Sequence, residues 1–106
     1  MQHSEWIPER VAADHRSIAA YFPGGKLMAL LDFAHLRSVT LILLEDQLYW
    51  QLDGTDFAVM LIPFGIEGES SMRRELQSLP GFDTNLLFSY LDDRSEQHPP
   101  IRLWQA

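Results

Sequence analysis

KLMALLDFAHLRSVTLILLEDQLYWQLDGTDFAVMLIP, residues 26–63, decides the fold. Its texture is short apolar runs parted by polar pairs, which marks strands rather than helices. Leu27 to Phe33 and Val39 to Leu44 are nearly unbroken apolar runs, as expected of central strands with protein on both faces. Glu45-Asp46-Gln47 allows a tight reversal into Leu48 to Leu52, where Leu48, Trp50 and Leu52 point one way and Tyr49 and Gln51 the other. Asp53-Gly54-Thr55-Asp56 supplies a second turn, because Gly tolerates positive φ and Asp side chains bond nearby amides. Phe57 to Ile62 then returns, and Pro63 ends the run. The economical reading of 26–63 is an antiparallel meander.

Upstream, Ile7, Val11, Ile18 and Phe22 fall on one helical face, Pro8 suits a first helical turn, and Pro23-Gly24-Gly25 stops the pattern. The spacing predicts a helix over 7–22 within an N-terminal segment 1–25. Downstream, Met72, Leu76 and Leu79 predict a helix over 70–79 with Ser70 as its cap, closed by Pro80-Gly81. Asp83 is placed to cap a further helix by accepting from amides two or three residues on, with Phe82 and Leu87 at the spacing of a hydrophobic staple. That helix carries Leu86, Leu87, Phe88, Tyr90 and Leu91, and the polar residues Asp92 to Gln97 end it. Ile101 to Trp104, after Pro99-Pro100, reads as a last strand or docked tail. The expected architecture is a single α+β domain over 1–106. It has an antiparallel sheet of four or five strands, C-terminal helices packed on one face, and an N-terminal helix.

The 106 residues carry 8 Lys and Arg against 15 Asp and Glu, a net charge of −7, with 46% hydrophobic residues. A chain of this length buries roughly 65% of its unfolded surface, enough for a core without staples. With no cysteine, the chain has no disulfide, thiolate zinc site, iron–sulfur cluster or cysteine nucleophile. No apolar run approaches the roughly 20 residues of a membrane span, and the first residues lack a secretory pattern. A cytoplasmic protein is expected. The acidic balance opposes nucleic-acid binding, which needs clustered Lys and Arg. The longest basic cluster is Arg73-Arg74, whereas residues 38–72 hold Glu45, Asp46, Asp53, Asp56, Glu67 and Glu69 and no basic residue.

No motif compels a chemistry. Asp32 and His35, with Asp14 and His15, offer carboxylates and imidazoles for a metal or acid–base pair, but without ligand-pair spacing surface and turn roles are the better reading. His3 and His98 sit where polar residues need no function. Ser70-Ser71 lacks the frame of a nucleophile turn, and Gly24-Gly25-Lys26 lacks the rest of a phosphate loop. No catalytic, cofactor-binding or metal-binding residue is therefore assigned. Because Tyr49 and Trp50 face opposite ways, whichever points outward is a candidate partner contact. The candidate partner-binding set is Tyr49, Trp50, Glu45, Asp46, Asp53, Asp56, Glu67 and Glu69. The abundance of apolar residues in strands and helices predicts self-association, with a homodimer as the default.

The order Phe33-Ala34-His35-Leu36-Arg37-Ser38-Val39, two paired strands, Met60-Leu61-Ile62-Pro63-Phe64 and a helix from Ser70 to Leu79 resembles bacterial pleckstrin-homology-like domains over residues 27–79. The chain departs from that pattern in its N-terminal helix, its second C-terminal helix with a terminal tail, and too few strands for the whole barrel. The resemblance implies a non-enzymatic binding scaffold and carries over no functional residue. By size and charge the chain is also similar to small acidic immunity proteins that neutralise basic toxins. Three functions are thus in play: an interaction module, an inhibitor acting through the acidic stretch, and a small hydrolytic or metal-dependent enzyme using the histidines.

Overall fold

A computed structural model describes residues 7–55, 58–92 and 99–106. His3, Asp56, Phe57, His98 and the stretch 93–97 lie outside the described residues. The chain is α+β, with two antiparallel sheets and two helices. The first sheet runs β1 (Arg10–Ala13), β2 (Ser17–Tyr21), β3 (Leu27–Asp32). The second has the order β6-β5-β4-β7, from β4 (Leu36–Leu44), β5 (Gln47–Gly54), β6 (Val59–Pro63) and β7 (Ile101–Gln105). Helices α1 (Glu69–Gln77) and α2 (Thr84–Asp92) lie between β6 and β7 in the chain.

The meander holds from β4 to β6. Glu45 and Asp46 at the β4–β5 reversal have φ of 51° and 66°, the paired left-handed conformation of a two-residue hairpin turn. The ladder joins Leu44 to Gln47, Leu41 to Trp50 and Trp50 to Ile62. The expected single sheet is corrected: β3 pairs with β2 and not with β4. A 3-10 turn over Phe33–His35 intervenes, started by Asp32, whose Oδ1 accepts from the Ala34 amide at 2.8 Å, and the chain changes sheets there.

The expected N-terminal helix is also corrected, because 7–22 contributes two strands. Asp14 Oδ1 accepts from the amides of Arg16 (2.7 Å) and Ser17 (2.9 Å), while Ser17 O accepts from the Asp14 amide. This side chain offers the backbone a turn in place of a helix. Two of the four residues that suggested a helical face lie in the strands: Val11 and Ile18 are buried on one side of the sheet, together with Ala20. The β-branched members favour the extended conformation.

Helix α1 begins one residue earlier than expected, and its N-cap is Gly68, not Ser70, which is exposed in the first turn. Gly68 has φ +88°, and a Cβ there would stand 1.7 Å from the Val11 carbonyl oxygen. Both the conformation and the close approach to β1 require glycine. Asp83 caps α2 as its spacing indicates, accepting at 2.9 Å from the Leu86 amide, and its own amide donates to Leu103 O of β7. The helices do not share one face. Helix α1 packs against β1 of the first sheet and α2 against β7 of the second. Between the sheets and helices, Val11, Ile18, Leu31, Val39, Leu41, Trp50, Leu52, Ile62, Met72, Leu76, Leu87 and Leu103 form one core.

Candidate functional site

The predicted partner-binding residues are dispersed. Trp50 is fully buried, and its ring stacks on Phe64 with centroids 5.0 Å apart and 9° between planes. Tyr49, on the opposite face of β5 between Ile42 and Pro63 in the ladder, is only 8% exposed. Neither aromatic points freely into solvent. Glu69 is buried too, and accepts from Trp50 Nε1 (2.9 Å), the Gly65 amide (3.1 Å), and Arg73 Nε and Nη2 (2.9 Å each). The Arg73 guanidinium covers the Phe64 ring at 4.9 Å. This carboxylate is saturated by its own chain, and it locks α1 to β5.

The other acidic positions have separate surroundings. Glu45 and Asp46 are exposed at the β4–β5 turn, and Asp53 lies at the opposite end of that hairpin, where its Oδ2 accepts from Ser38 Oγ at 2.8 Å. Glu67 is exposed and stands 3.7 Å from Arg10. Asp56 lies outside the described residues.

Asp14, Arg16, Ser17, Leu30, Asp32 and His35 surround an open depression of about 470 Å³, so the structure does gather three of the four residues first considered for acid–base or metal chemistry. Two backbone amides hold the Asp14 carboxyl below the usual carboxylate range, Arg16 contributing most and Ser17 next. Asp32 is taken up by the Ala34 amide. Both carboxylates are engaged in turns, and among the described residues no group of three His, Cys, Asp or Glu side chains is arranged to hold a metal ion.

The surface that sequence reasoning missed is the outer face of the first sheet. Ladder register aligns Ala12, Ala19 and Leu30 across it in one row and Arg10, Tyr21 and Leu27 in the next. The Arg10 guanidinium lies 4.0 Å over the Tyr21 ring, confirming that this row shares a face. Leu27 is 51% exposed and Leu30 64%. A narrow crevice of about 50 Å³, lined by Leu30, Leu31, Ala58, Val59 and Met60 among others, carries the apolar surface round to β6, where Val59 is 59% exposed. Scattered single apolar residues are ordinary on a protein surface, whereas Leu30 and Val59 flank one crevice. The signal was available in Asp14 and Ser17: a side-chain-stabilised turn there converts 7–22 into a hairpin and makes β3 an outer strand.

Among the described residues, no helix is long and apolar enough to cross a membrane. Comparison with protein families, characterised proteins and solved structures finds no match to this chain.

Proposed function

We propose that this protein is a non-catalytic interaction module that binds protein through the patch formed by Leu27, Leu30 and Val59. The observation that carries the reading is the pair of half-exposed side chains Leu30 and Val59 lining the β3–β6 crevice, with Leu27 exposed in the neighbouring row of the first sheet. Seven described strands divided three and four, with α1 following the Ile62-Pro63 end of β6, support the scaffold that a pleckstrin-homology-like resemblance implies. Covering three half-exposed side chains contributes roughly 1 kcal/mol each. That falls short of the 4–15 kcal/mol or so that association costs, so the partner must also supply polar or backbone contacts.

Neutralisation of a basic toxin through the acidic stretch draws less support. Glu69 is sealed inside, Asp53 is bonded to Ser38, and Glu45 and Asp46 stand at the far end of the hairpin. Capture from the native host with the intact chain, a Leu27→Lys/Leu30→Lys variant and a Glu45→Lys/Asp46→Lys variant separates the two. Partners kept by the second variant and lost by the first, with matching circular-dichroism melts, support the apolar patch. Loss only from the turn variant would transfer the function to the acidic tip.

A further inference from the structure

Asp53 is the only aspartate in the chain that is followed by glycine, and the single asparagine, Asn85, precedes a leucine. An aspartyl-glycyl bond is chemically fragile. Because no Cβ hinders it, the glycine nitrogen reaches the aspartate Cγ more readily than the nitrogen of any bulkier residue does. Packing keeps glycine there all the same. A Cβ at Gly54 would stand 2.8 Å from Leu31 Cδ1 and 3.3 Å from the His35 carbonyl oxygen, and Leu31 lines the crevice between β3 and β6.

The fold holds both reacting groups. The Gly54 amide donates to Ala58 O at 2.7 Å, continuing the β5–β6 ladder beyond Asp53 and Val59. The Asp53 carboxylate lies on the face of the second sheet opposite the core. There its Oδ2 accepts from Ser38 Oγ at 2.8 Å and from Gln51 Nε2 at 3.2 Å. Ser38 is buried and is the ladder partner of Asp53 across β4 and β5. Strand side chains stand roughly perpendicular to a sheet, whereas main-chain N–H groups lie within it. Carboxylate and amide are thus drawn along nearly perpendicular directions, and attack requires the release of both.

We propose that Asp53-Gly54 is the site at which this chain isomerises, and that the closed β4–β5–β6 ladder suppresses the reaction, with Ser38 as a positioning residue for the carboxylate. In the opened segment the Gly54 nitrogen attacks Cγ of the protonated Asp53 carboxyl. The N–Cγ bond forms, one carboxyl oxygen leaves as water with the carboxyl and amide hydrogens, and a cyclic imide results. Water then adds to either carbonyl. Addition at Cγ breaks the new bond and restores aspartate. Addition at the main-chain carbonyl breaks the original bond from Asp53 C to Gly54 N, so that the chain runs through the side chain as isoaspartate. The water lost is regained, and nothing is oxidised. The product carries one additional methylene in the main chain between Leu52 and Gly54, which shifts Gly54 out of register with Ala58 beside the crevice. The chemistry stands apart from partner binding.

Incubation of the full chain in heavy-oxygen water, followed by peptide mass spectrometry, reads each turnover, because hydrolysis of the imide leaves a labelled oxygen. Label is expected at Asp53 before any other aspartate, with isoaspartate among the products. Labelling in urea is expected to be on the order of 100-fold faster than in the fold, the factor of a local opening that costs about 2.7 kcal/mol. Asp53→Glu, whose longer side chain closes a larger ring, labels far more slowly at this position. Ser38→Ala raises the folded rate about fivefold, the factor of one hydrogen bond's net contribution, without an equal rise in exchange of the Gly54 amide. Ser38→Thr restores the hydroxyl and returns the rate toward the parent's. Equal labelling of folded and unfolded chains, or faster labelling at another aspartate, would overturn the proposal. A Ser38→Ala rate that matches the parent, or rises only in step with Gly54 exchange, would remove Ser38 as the positioning residue. Should Ser38→Ala not fold, the parent alone decides: labelling and Gly54 exchange must rise together as urea is added, and labelling that stays constant while exchange rises would overturn the ladder's role.

Discussion

Strands β3 and β4 are both nearly unbroken apolar runs, yet they have opposite fates. Strand β4 is central, hydrogen-bonded to β5 and β7, with Val39 and Leu41 completely buried and its exposed leucines confined to Leu43 and Leu44 at the hairpin tip. Strand β3 is an outer strand of the other sheet, buries Leu31, and leaves Leu27 and Leu30 more than half exposed. Apolar content alone therefore does not tell a central strand from an edge. What differs is the neighbourhood: β4 has two paired strands, while β3 has β2 on one side and the crevice toward β6 on the other. Apolar surface held by the core is stability, and apolar surface left at an edge is what the proposed function assigns to a partner.

The sharpest way to break this contrast is to shorten one leucine in each strand. Leu41→Ala removes a fully buried side chain facing Trp50 in the ladder and is expected to cost about 3 kcal/mol. Leu30→Ala, measured on the isolated monomer, is expected to change stability by less than about 0.5 kcal/mol. Urea melts of both variants decide the matter. Comparable losses would mean that the outer face of the first sheet is part of the core after all.

Glu69 sharpens the contrast from the other side, since it shows a charge absorbed by the fold. Glu69→Ala strands Trp50 Nε1 without its acceptor and leaves Arg73 unpaired over Phe64. Breaking a fully buried pair costs about 3–5 kcal/mol. The Arg73 side chain is 27% exposed and recovers some hydration, so about 2–3 kcal/mol is expected here. A thermal melt unchanged from the parent would show that the Trp50–Glu69–Arg73 cluster decorates α1 without fastening it.

How legible these regions are in the sequence depends on the range of the interactions that set them. The β4–β5–β6 meander, α1, the Asp83 cap and the last strand follow from local signals: apolar alternation, a two-residue turn, a capping carboxylate. The first sheet does not, because Ile7, Val11, Ile18 and Phe22 fit a helical spacing, and the choice falls to the Asp14 turn and to pairing with β3. The break between β3 and β4 rests on a three-residue turn that periodicity passes over. Among the candidate site residues, sequence shows that Glu69 is acidic, not that Trp50, Gly65 and Arg73 converge on it, although the four-residue spacing of Glu69 and Arg73 was in plain sight. The apolar patch joins Leu30 to Val59, and no local pattern carries such a contact.

A smaller effect is expected at Asp83, which serves both the helix and the second sheet. Asp83→Ala removes the acceptor of the Leu86 amide and a carboxylate at the positive end of α2, costing about 1 kcal/mol, while the backbone bond to Leu103 persists. Native-state hydrogen exchange is expected to show faster opening of the first turn of α2 with no change in β3. Protection left intact at Leu86 would remove the cap from the account.

The smallest effect belongs to Asp14, where the first sheet obtains by side chain what the β4–β5 hairpin obtains by backbone conformation. The amides of Arg16 and then Ser17 favour the charged carboxylate, so its folded pKa lies below the usual aspartate value. A depressed carboxylate pKa adds stability that is fully present above the unfolded value and is lost as pH falls through the folded one. Asp14→Asn keeps an oxygen that accepts from both amides, so at neutral pH the hairpin should persist, while part of the acid sensitivity disappears. Carboxyl-carbon NMR titration provides the check, with a midpoint for Asp14 expected below that of an unstructured aspartate. A midpoint at or above 3.8 would mean that the amides do not hold the charge, and the reason given for a hairpin instead of a helix over 7–22 would fail with it.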